Sequence, residues 1–317
     1  MKSLITRVLL ATAVACGSAS AQPVTKFVVP FAAGGGTDVY VRMLAAEVAK
    51  AGLPVIVENK PGASGNIAAD YVAKARPDGL TVFVGTNSTM ANNTVLFDKL
   101  PYDPLKDFVP VTHIGYQPMI IVARTDLPYS TLQEMVAYAK ANPGKINRGS
   151  PGAGIISNLA PLMFERQAGI RTTHVPFNGD APGLQALLSG SIDIHGTSIT
   201  ASLPHVQSGK LRVLGVMDSK RLPQVPNAPT FKEAGYDVEA YAWYTLVAPA
   251  GTPREPIERL NKAVNQVLAR EDFIAKARAA GMEPRGGSPE ELGKFIRQEY
   301  DRWVPLLRTL ELTKSTY

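Results

Sequence analysis

The 317-residue chain has a single cysteine, Cys16, in its first apolar stretch, which excludes a disulfide scaffold and leaves the rest of the chain without a thiol for catalysis or metal binding. Charge of one sign is also scarce. The formal net charge is +6, and basic residues occur as singles and pairs such as Lys220-Arg221, with no run that would track a phosphate backbone. Nucleic acid is therefore not expected as a partner. Aromatics make up 7% and mean hydropathy is −0.01, which excludes a multispanning membrane protein, while 45% hydrophobic residues exclude disorder. The chain contains no G-x-x-x-x-G-K-[ST], no G-x-S-x-G and no H-E-x-x-H. His113, His174, His195 and His205 show no metal-ligand spacing, and Ser64 and Ser198 sit in glycine-containing stretches without a recognisable base. No metal, no cofactor and no catalytic residue is expected.

The first 21 residues differ from the rest of the chain. Lys2 and Arg7 precede the apolar run from Val8 to Ala15, and Ala19-Ser20-Ala21 supplies small residues for cleavage. The run is too short to span a bilayer. Residues 1–21 are thus expected to be a secretory signal cleaved after Ala21; the alternatives are a short buried helix or anchor, or acylation of Cys16. The remaining length exceeds one typical domain of ~150 residues, so two globular lobes are expected.

The chain then alternates between two periodicities. Phe27 to Phe31, Pro54 to Val57 and Leu80 to Val84 read as strands, separated by helices over Asp38 to Ala51 and Asn66 to Ala75. This βαβαβ order requires parallel strands with helical crossovers. Val109 to Ile114 and Met119 to Ala123 read as two further strands. A helix from Ser130 stops at Asn142-Pro143-Gly144, a strand lies near Ile146, and a helix runs through Leu159, Leu162 and Phe164. Strand-like pieces at Thr173 to Val175, Ile192 to Ile194 and Leu211 to Met217 alternate with helices at Pro182 to Leu188 and Ala201 to Ser208. Ala242 to Ala248 reads as a returning strand and Pro253 to Arg270 as a helix. Ser288-Pro289-Glu290-Glu291 carries a capping box that opens the last helix. This order gives two α/β lobes, residues 22–123 with 243–317 and residues 124–242, the chain crossing twice between them.

Two glycine-rich loops each join a strand to a helix start, Ala32-Ala33-Gly34-Gly35-Gly36-Thr37-Asp38 and Gly149-Ser150-Pro151-Gly152-Ala153-Gly154. Glycine permits close backbone approach, and the free N–H groups of a helix start carry partial positive charge, which together make an anion site. Two other readings are open. The loops could be tight turns capped by Thr37-Asp38 and Ser157-Asn158, or the second could be a distorted dinucleotide loop with Ser157 in the third glycine place. Paired loops at corresponding points of two lobes favour a small anion held in the crevice between them.

Ordered motifs along nearly the whole chain carry a resemblance. They include Val29-Pro30-Phe31-Ala32-Ala33-Gly34-Gly35-Gly36-Thr37-Asp38, Val57-Glu58-Asn59-Lys60-Pro61-Gly62, Ala75-Arg76-Pro77-Asp78-Gly79, Leu100-Pro101-Tyr102-Asp103-Pro104, His174-Val175-Pro176-Phe177 and Ala248-Pro249-Ala250-Gly251-Thr252-Pro253. In these the chain resembles the periplasmic solute-binding proteins of tripartite tricarboxylate transporters, the Bordetella uptake gene family. The resemblance implies a two-lobed, Venus-flytrap (type II) α/β fold with a mainly parallel sheet flanked by helices in each lobe. It implies a periplasmic, non-enzymatic protein, expected as a monomer, that captures a small organic acid and delivers it to a membrane permease. A ligand-presenting sensor and an exported hydrolase are the alternatives.

Carried over position by position, the resemblance implies that the backbone from Phe31 through Ala32, Ala33, Gly34 and Gly36 to Thr37 and Asp38 holds a carboxylate with Ser150, Gly152, Ala153 and Gly154. It places Asn66, Thr86 and Asn87 near the cleft on one lobe, and Phe177, Asn178, Gly179 and the segment after Asp193 on the other. The chain departs from the family after the second loop, where Ile155, Ile156, Ser157 and Asn158 replace small hydroxyl residues and a histidine. It departs again after Ile194, where Thr197 and Ser198 stand where an aspartate is frequent. Loss of that cleft carboxylate is expected to disfavour amino acids and favour a dicarboxylate, aromatic ones included, with its apolar body near Ile155 and Phe177. Arg148 replaces a common aromatic residue; it either pairs with a distal carboxylate or, the preferred reading, is a solvated strand end.

Overall fold

Short apolar runs make the strands of the first sheet, and amphipathic helices cover it. In this computed structural model, which describes residues 23–152 and 154–308, β1 (Thr25–Val29) lies between β2 (Val55–Asn59) and β3 (Thr81–Thr86), all parallel, with Phe27 opposite Val57 on one side and Val82 on the other. The crossovers are α1 (Gly36–Lys50), which buries Tyr40, Val41, Leu44, Ala45 and Val48, and α2 (Asn66–Ala73); the short α3 (Asn93–Leu96) follows β3. That stripe is the one its helical spacing predicts. The expected signal segment lies outside the described residues.

The next strand is longer than its sequence suggests. The two expected strands at 109–114 and 119–123 are one element, β4 (Phe108–Arg124), because the residues between them, Gly115 to Pro118, continue the pairing with β9. Its register against β9 (Tyr241–Pro249) shifts at Pro110/Thr112 and at His113/Gly115, so bulges take up the irregular residues. β9 also pairs antiparallel with β3, and β10 (Glu283–Pro284) meets Tyr116 and Gly115.

From Met119 onward β4 changes partners. There it is flanked by β7 (Ile194–Ser198) and β8 (Leu211–Val216), while β5 (Asn147–Ser150) runs parallel between β7 and β6 (Thr173–Pro176). The expected strand at 192–194 is therefore displaced: the polar run His195-Gly196-Thr197-Ser198 is itself strand, fully buried and registered against Met119 to Val122. Burial within the sheet overrides a composition that reads as loop. Helices α4 (Leu132–Ala141), α5 (Ile156–Ala168), α6 (Asp180–Leu188) and α7 (Ile199–Gln207) cover this second sheet.

The chain closes on the first sheet through α8 (Arg254–Leu268), α9 (Glu271–Ala279) and α10 (Pro289–Arg308). At the start of α10, Ser288 Oγ accepts from Glu291 N at 3.1 Å and Ser288 N donates to Glu291 Oε2 at 2.7 Å, which realises the capping box. Helix α9 has no clear signal in the sequence, since only Phe273 and Ala277 are buried in a mostly charged segment. Apolar packing runs unbroken from Leu44 and Leu260 through Met119 and Ile121 to Leu132 and Leu159, so both sheets share one core. Burial of each large aliphatic side chain there contributes roughly 1.5–3 kcal/mol.

Candidate functional site

The strand ends β1, β3, β5, β6 and β7 all deliver the chain to a helical start beside one small cavity between the two sheets. Thr37 comes from α1, and Thr86, Asn87 and Ser88 come from the end of β3 and the π-helical turn Ser88–Asn92 after it. Ile155, Ile156 and Ser157 come from the start of α5, Asp180 from α6, and Thr197 with Ser198 from the β7–α7 junction. Phe31 and Pro151 complete the wall, and the floor is Gln117 and Met119 of β4 with Ala242 and Tyr244 of β9.

Three of these helices begin without side-chain caps: α1 after Gly35, α5 after Ile155 and α6 after Gly179. Their first turns carry the positive end of the helix dipole and free N–H groups, although at α5 Asn158 N already donates to Ile155 O at 2.8 Å. The capped-turn reading of the two loops is thereby corrected. Asp38 is committed elsewhere, accepting from Gly34 N at 2.9 Å, Arg42 Nε at 3.0 Å and Asn59 Nδ2 at 2.8 Å. Asn158 Oδ1 accepts from Arg148 Nη1 at 2.8 Å. Ser157 is 2% exposed, lines the cavity, and its Oγ has no hydrogen-bond partner among the described residues.

Hydroxyl and amide groups make up most of the remaining polar wall. Gln117 Nε2 donates to the Tyr244 hydroxyl while Gln117 Oε1 accepts from Thr200 at 2.7 Å, a chain linking β9, β4 and α7 under the cavity. Burial pushes the Tyr244 phenol above its usual pKa, against weaker opposing contacts from Thr37 and Gln117, so it stays a hydroxyl. Thr86 Oγ1 lies 2.8 Å from Ser88 Oγ, and Asn87 Nδ2 reaches Tyr241 O while its Oδ1 accepts from Trp243 N. Among the described residues no group of three His, Cys, Asp or Glu is placed to hold a metal.

Above the cavity the two halves touch. Ala32 N donates to Asn178 O at 3.4 Å, Gly154 N to Ser64 Oγ at 3.3 Å, and Asn92 Nδ2 to Gly154 O at 3.3 Å. A Cβ on Gly36 would lie 2.3 Å from Ser198 Oγ, so glycine there permits the approach of α1 to α7.

Of the expected site residues, Phe31, Thr37, Thr86, Asn87, Ile155, Thr197 and Ser198 line the cavity. Ala32, Gly36, Gly154, Asn178 and Gly179 lie at the contact between halves instead, with Gly152 beside Ser64. Gly34 belongs to the loop that Asp38 fastens, and Ala33 is next to it; Ala153 lies outside the described residues. Asn66 sits beneath the site, where its Oδ1 accepts from Asn93 at 2.6 Å and Tyr102 at 2.9 Å. Ser150 Oγ is 2.8 Å from His174 Nε2, a ring whose pKa is pushed down to about 4 by burial and by nearby Arg148. Phe177 packs on the apolar cluster of the second sheet, its ring 6.3 Å from that of His195, and is not part of the wall.

Two expectations need correction. Arg148 is 1% exposed and is not a solvated strand end: its Nε donates to Glu165 Oε1 at 2.8 Å and to Thr172 Oγ1 at 3.2 Å, and with the Asn158 bond these hold the guanidinium between β5 and α5. Its Nη2 has no hydrogen-bond partner among the described residues. The second concerns charge. The cleft does not lack a carboxylate, because Asp180 lines it and accepts from Thr197 Oγ1 at 2.6 Å, so the argument from a missing acid does not hold. The signal for Asp180 is a third strand–glycine–helix start, Phe177-Asn178-Gly179-Asp180. Gln117, Met119, Ala242 and Tyr244 carry no local signal, being interior strand residues; Ser88, Pro151, Ile156 and Ser157 adjoin predicted positions.

The chain matches the family described as Tripartite tricarboxylate transporter family receptor over residues 40–312. Its fold is shared with the periplasmic binding protein BugD (TM-score 0.88, 32% identity, 92% of this chain and 99% of that one). The R. palustris protein Rpa4515, solved with adipate, superimposes with a TM-score of 0.88 at 34% identity over 92% of this chain and 98% of the other. MatC from Rhodopseudomonas palustris, with bound malate, gives 0.83 at 36% identity over 90% and 99%.

Proposed function

The chain belongs to the tripartite tricarboxylate transporter receptor family, and from that premise we propose that it is a periplasmic carrier which closes on a small organic acid and hands it to a membrane permease without altering it. In this reading residues 1–21 are removed on export and the protein works as a monomer. Residues 22–123 with 243–317 and residues 124–242 are the two bodies that close. One ligand carboxylate lies against the uncapped starts of α1 and α5, within reach of Thr37 and Ser157.

The observation that carries the reading is the convergence of uncapped helix starts on a cavity where the buried Ser157 hydroxyl has no partner among the described residues. An anionic oxygen supplies the missing acceptor and is favoured by the dipoles. Closure through Ala32–Asn178 and Gly154–Ser64 then shuts water out, and the lower dielectric strengthens each bond to the acid. Relatives that hold adipate and malate support dicarboxylates as the first probes. Ile155 remains in the wall, and Phe31 and Met119 take the apolar part expected of Phe177.

The test is thermal unfolding and calorimetric titration of residues 22–317, refolded to strip retained ligand, against mono-, di- and tricarboxylates. A bound acid is expected to stabilise by about 2.7 kcal/mol at a hundred times its Kd, and Ser157→Ala to weaken binding roughly tenfold. If no acid shifts the transition, the carboxylate reading is wrong.

A further inference from the structure

Among the described residues, Asp180 is the only acidic one in the cavity wall, and no Lys, Arg or His lines that wall. Thr197 donates to its Oδ1 at 2.6 Å. Behind it lies His195, fully buried, with Nε2 3.7 Å from the same oxygen, too far for a hydrogen bond, and neither ring nitrogen has a hydrogen-bond partner among the described residues. The ring's place is built into the backbone, since a Cβ on Gly183 would lie 2.3 Å from it. The charge of Asp180 faces the cavity on the α6 side, while the α1 and α5 sides present donors.

A carboxylate is acceptor-only when ionised. A plain dicarboxylate lying across this cavity would bring its far oxygens against Asp180, and two like charges at close range in a dry site repel strongly. A ligand ammonium at the same place would supply the donors and the opposite charge. We propose that Asp180 is the specificity-determining residue for the far end of the ligand and selects an amino acid, one carboxylate at the α1 and α5 starts and one ammonium at Asp180. The proposal rests on the carboxylate reading above and sharpens it.

The test uses matched pairs in which one carboxylate is exchanged for an ammonium: succinate against 4-aminobutanoate, glutarate against 5-aminopentanoate, and adipate against 6-aminohexanoate, titrated into residues 22–317 and into Asp180→Asn. The amide oxygen can still accept from Thr197, and unfolding of the ligand-free variant checks that the fold survives. In the wild type the amino acid of at least one pair should bind roughly tenfold or more tightly than its dicarboxylate, and Asp180→Asn should cancel or invert that ratio. Dicarboxylates that bind the wild type as well as or better than their partners, with a ratio unmoved by Asp180→Asn, overturn the role of Asp180 and leave the carboxylate carrier intact. Silence from every acid in both proteins instead removes the carrier reading, and this inference with it.

Discussion

The loop after β1 and the loop after β5 occupy matching places at the mouths of the two sheets, yet the bonds that hold them come from different directions. The first is fastened by its own sheet: Asp38 gathers Gly34, Arg42 and Asn59, and Asn59 Nδ2 also reaches Phe31 O at 3.0 Å. The second is anchored at its flanks, where Arg148 of β5 grips Glu165 and Asn158 of α5, while its Gly154 leans on Ser64 and Asn92 of the opposite half. Under the proposed closure the first loop brings most of its fastening with it, and Ala32 reaches across to Asn178. The second, with its own Ser150–Gly152 bonds, gains the Ser64 and Asn92 contacts at Gly154. A preformed half-site binds without ordering itself, and a half-site finished by contact makes closure conditional on what lies beneath.

Three substitutions would break or sharpen that contrast. Arg148→Met leaves the Glu165 carboxylate buried without its cation, with Thr172 N and Oγ1 still donating to it, and is expected to cost about 3 kcal/mol in denaturant unfolding. A loss under about 1 kcal/mol would mean the second loop's flanks are not fixed by this pair. Asp38→Asn should cost about 1.5–3 kcal/mol at neutral pH by weakening charge-assisted bonds in the first loop. Burial pulls the Asp38 pKa up, but bonds from Arg42, Gly34 and Asn59 outweigh it and hold the group below its ordinary 3.8. Its contribution is therefore full above the unfolded value and disappears as pH falls through the lower folded value, so wild type and variant should converge in stability below pH 3.8. A gap that stays constant with pH would show that the carboxylate charge is not the source.

The smallest effect belongs to Ser64→Ala. Ser64 has a φ of +53°, in the left-handed region, and its hydroxyl accepts from Gly154 across the cleft. Removing the hydroxyl keeps the backbone cost and deletes the contact, so ligand release should accelerate about two- to fivefold while ligand-free stability changes by less than about 0.5 kcal/mol. An unchanged release rate would detach this contact from closure.

Much of this frame is readable in the chain itself. Phe27 to Val29 and the stripe through Val41, Leu44 and Val48 declare the first strand and helix, and Ser288 with Glu291 declares the last helix start, because each pattern is local. The two glycine loops are equally visible, and both meet the cavity. The features hidden from the sequence depend on partners distant along it. Arg148 reads as solvated until Glu165, one helix later, is brought against it. His195-Gly196-Thr197-Ser198 reads as loop until β4 pairs with it, and Gln117 and Tyr244 become a floor only when β4 and β9 lie side by side. Asp180 is easily overlooked because a first-turn acid ordinarily belongs to the helix dipole rather than to a ligand.

The change of partners along β4 has a consequence for engineering the chain. Residues 119–240 leave the first sheet and return to it at neighbouring points, since Met119 N donates to Ala240 O at 2.9 Å. They form a cassette whose entry and exit are one hydrogen bond apart, so a relative's equivalent stretch can be spliced in without altering the span it must bridge. Such a chimaera would keep the self-fastened loop of α1 and exchange the starts of α5 and α6 together, Ser157 with Asp180, so recombination can swap one wall of the cavity whole against the other.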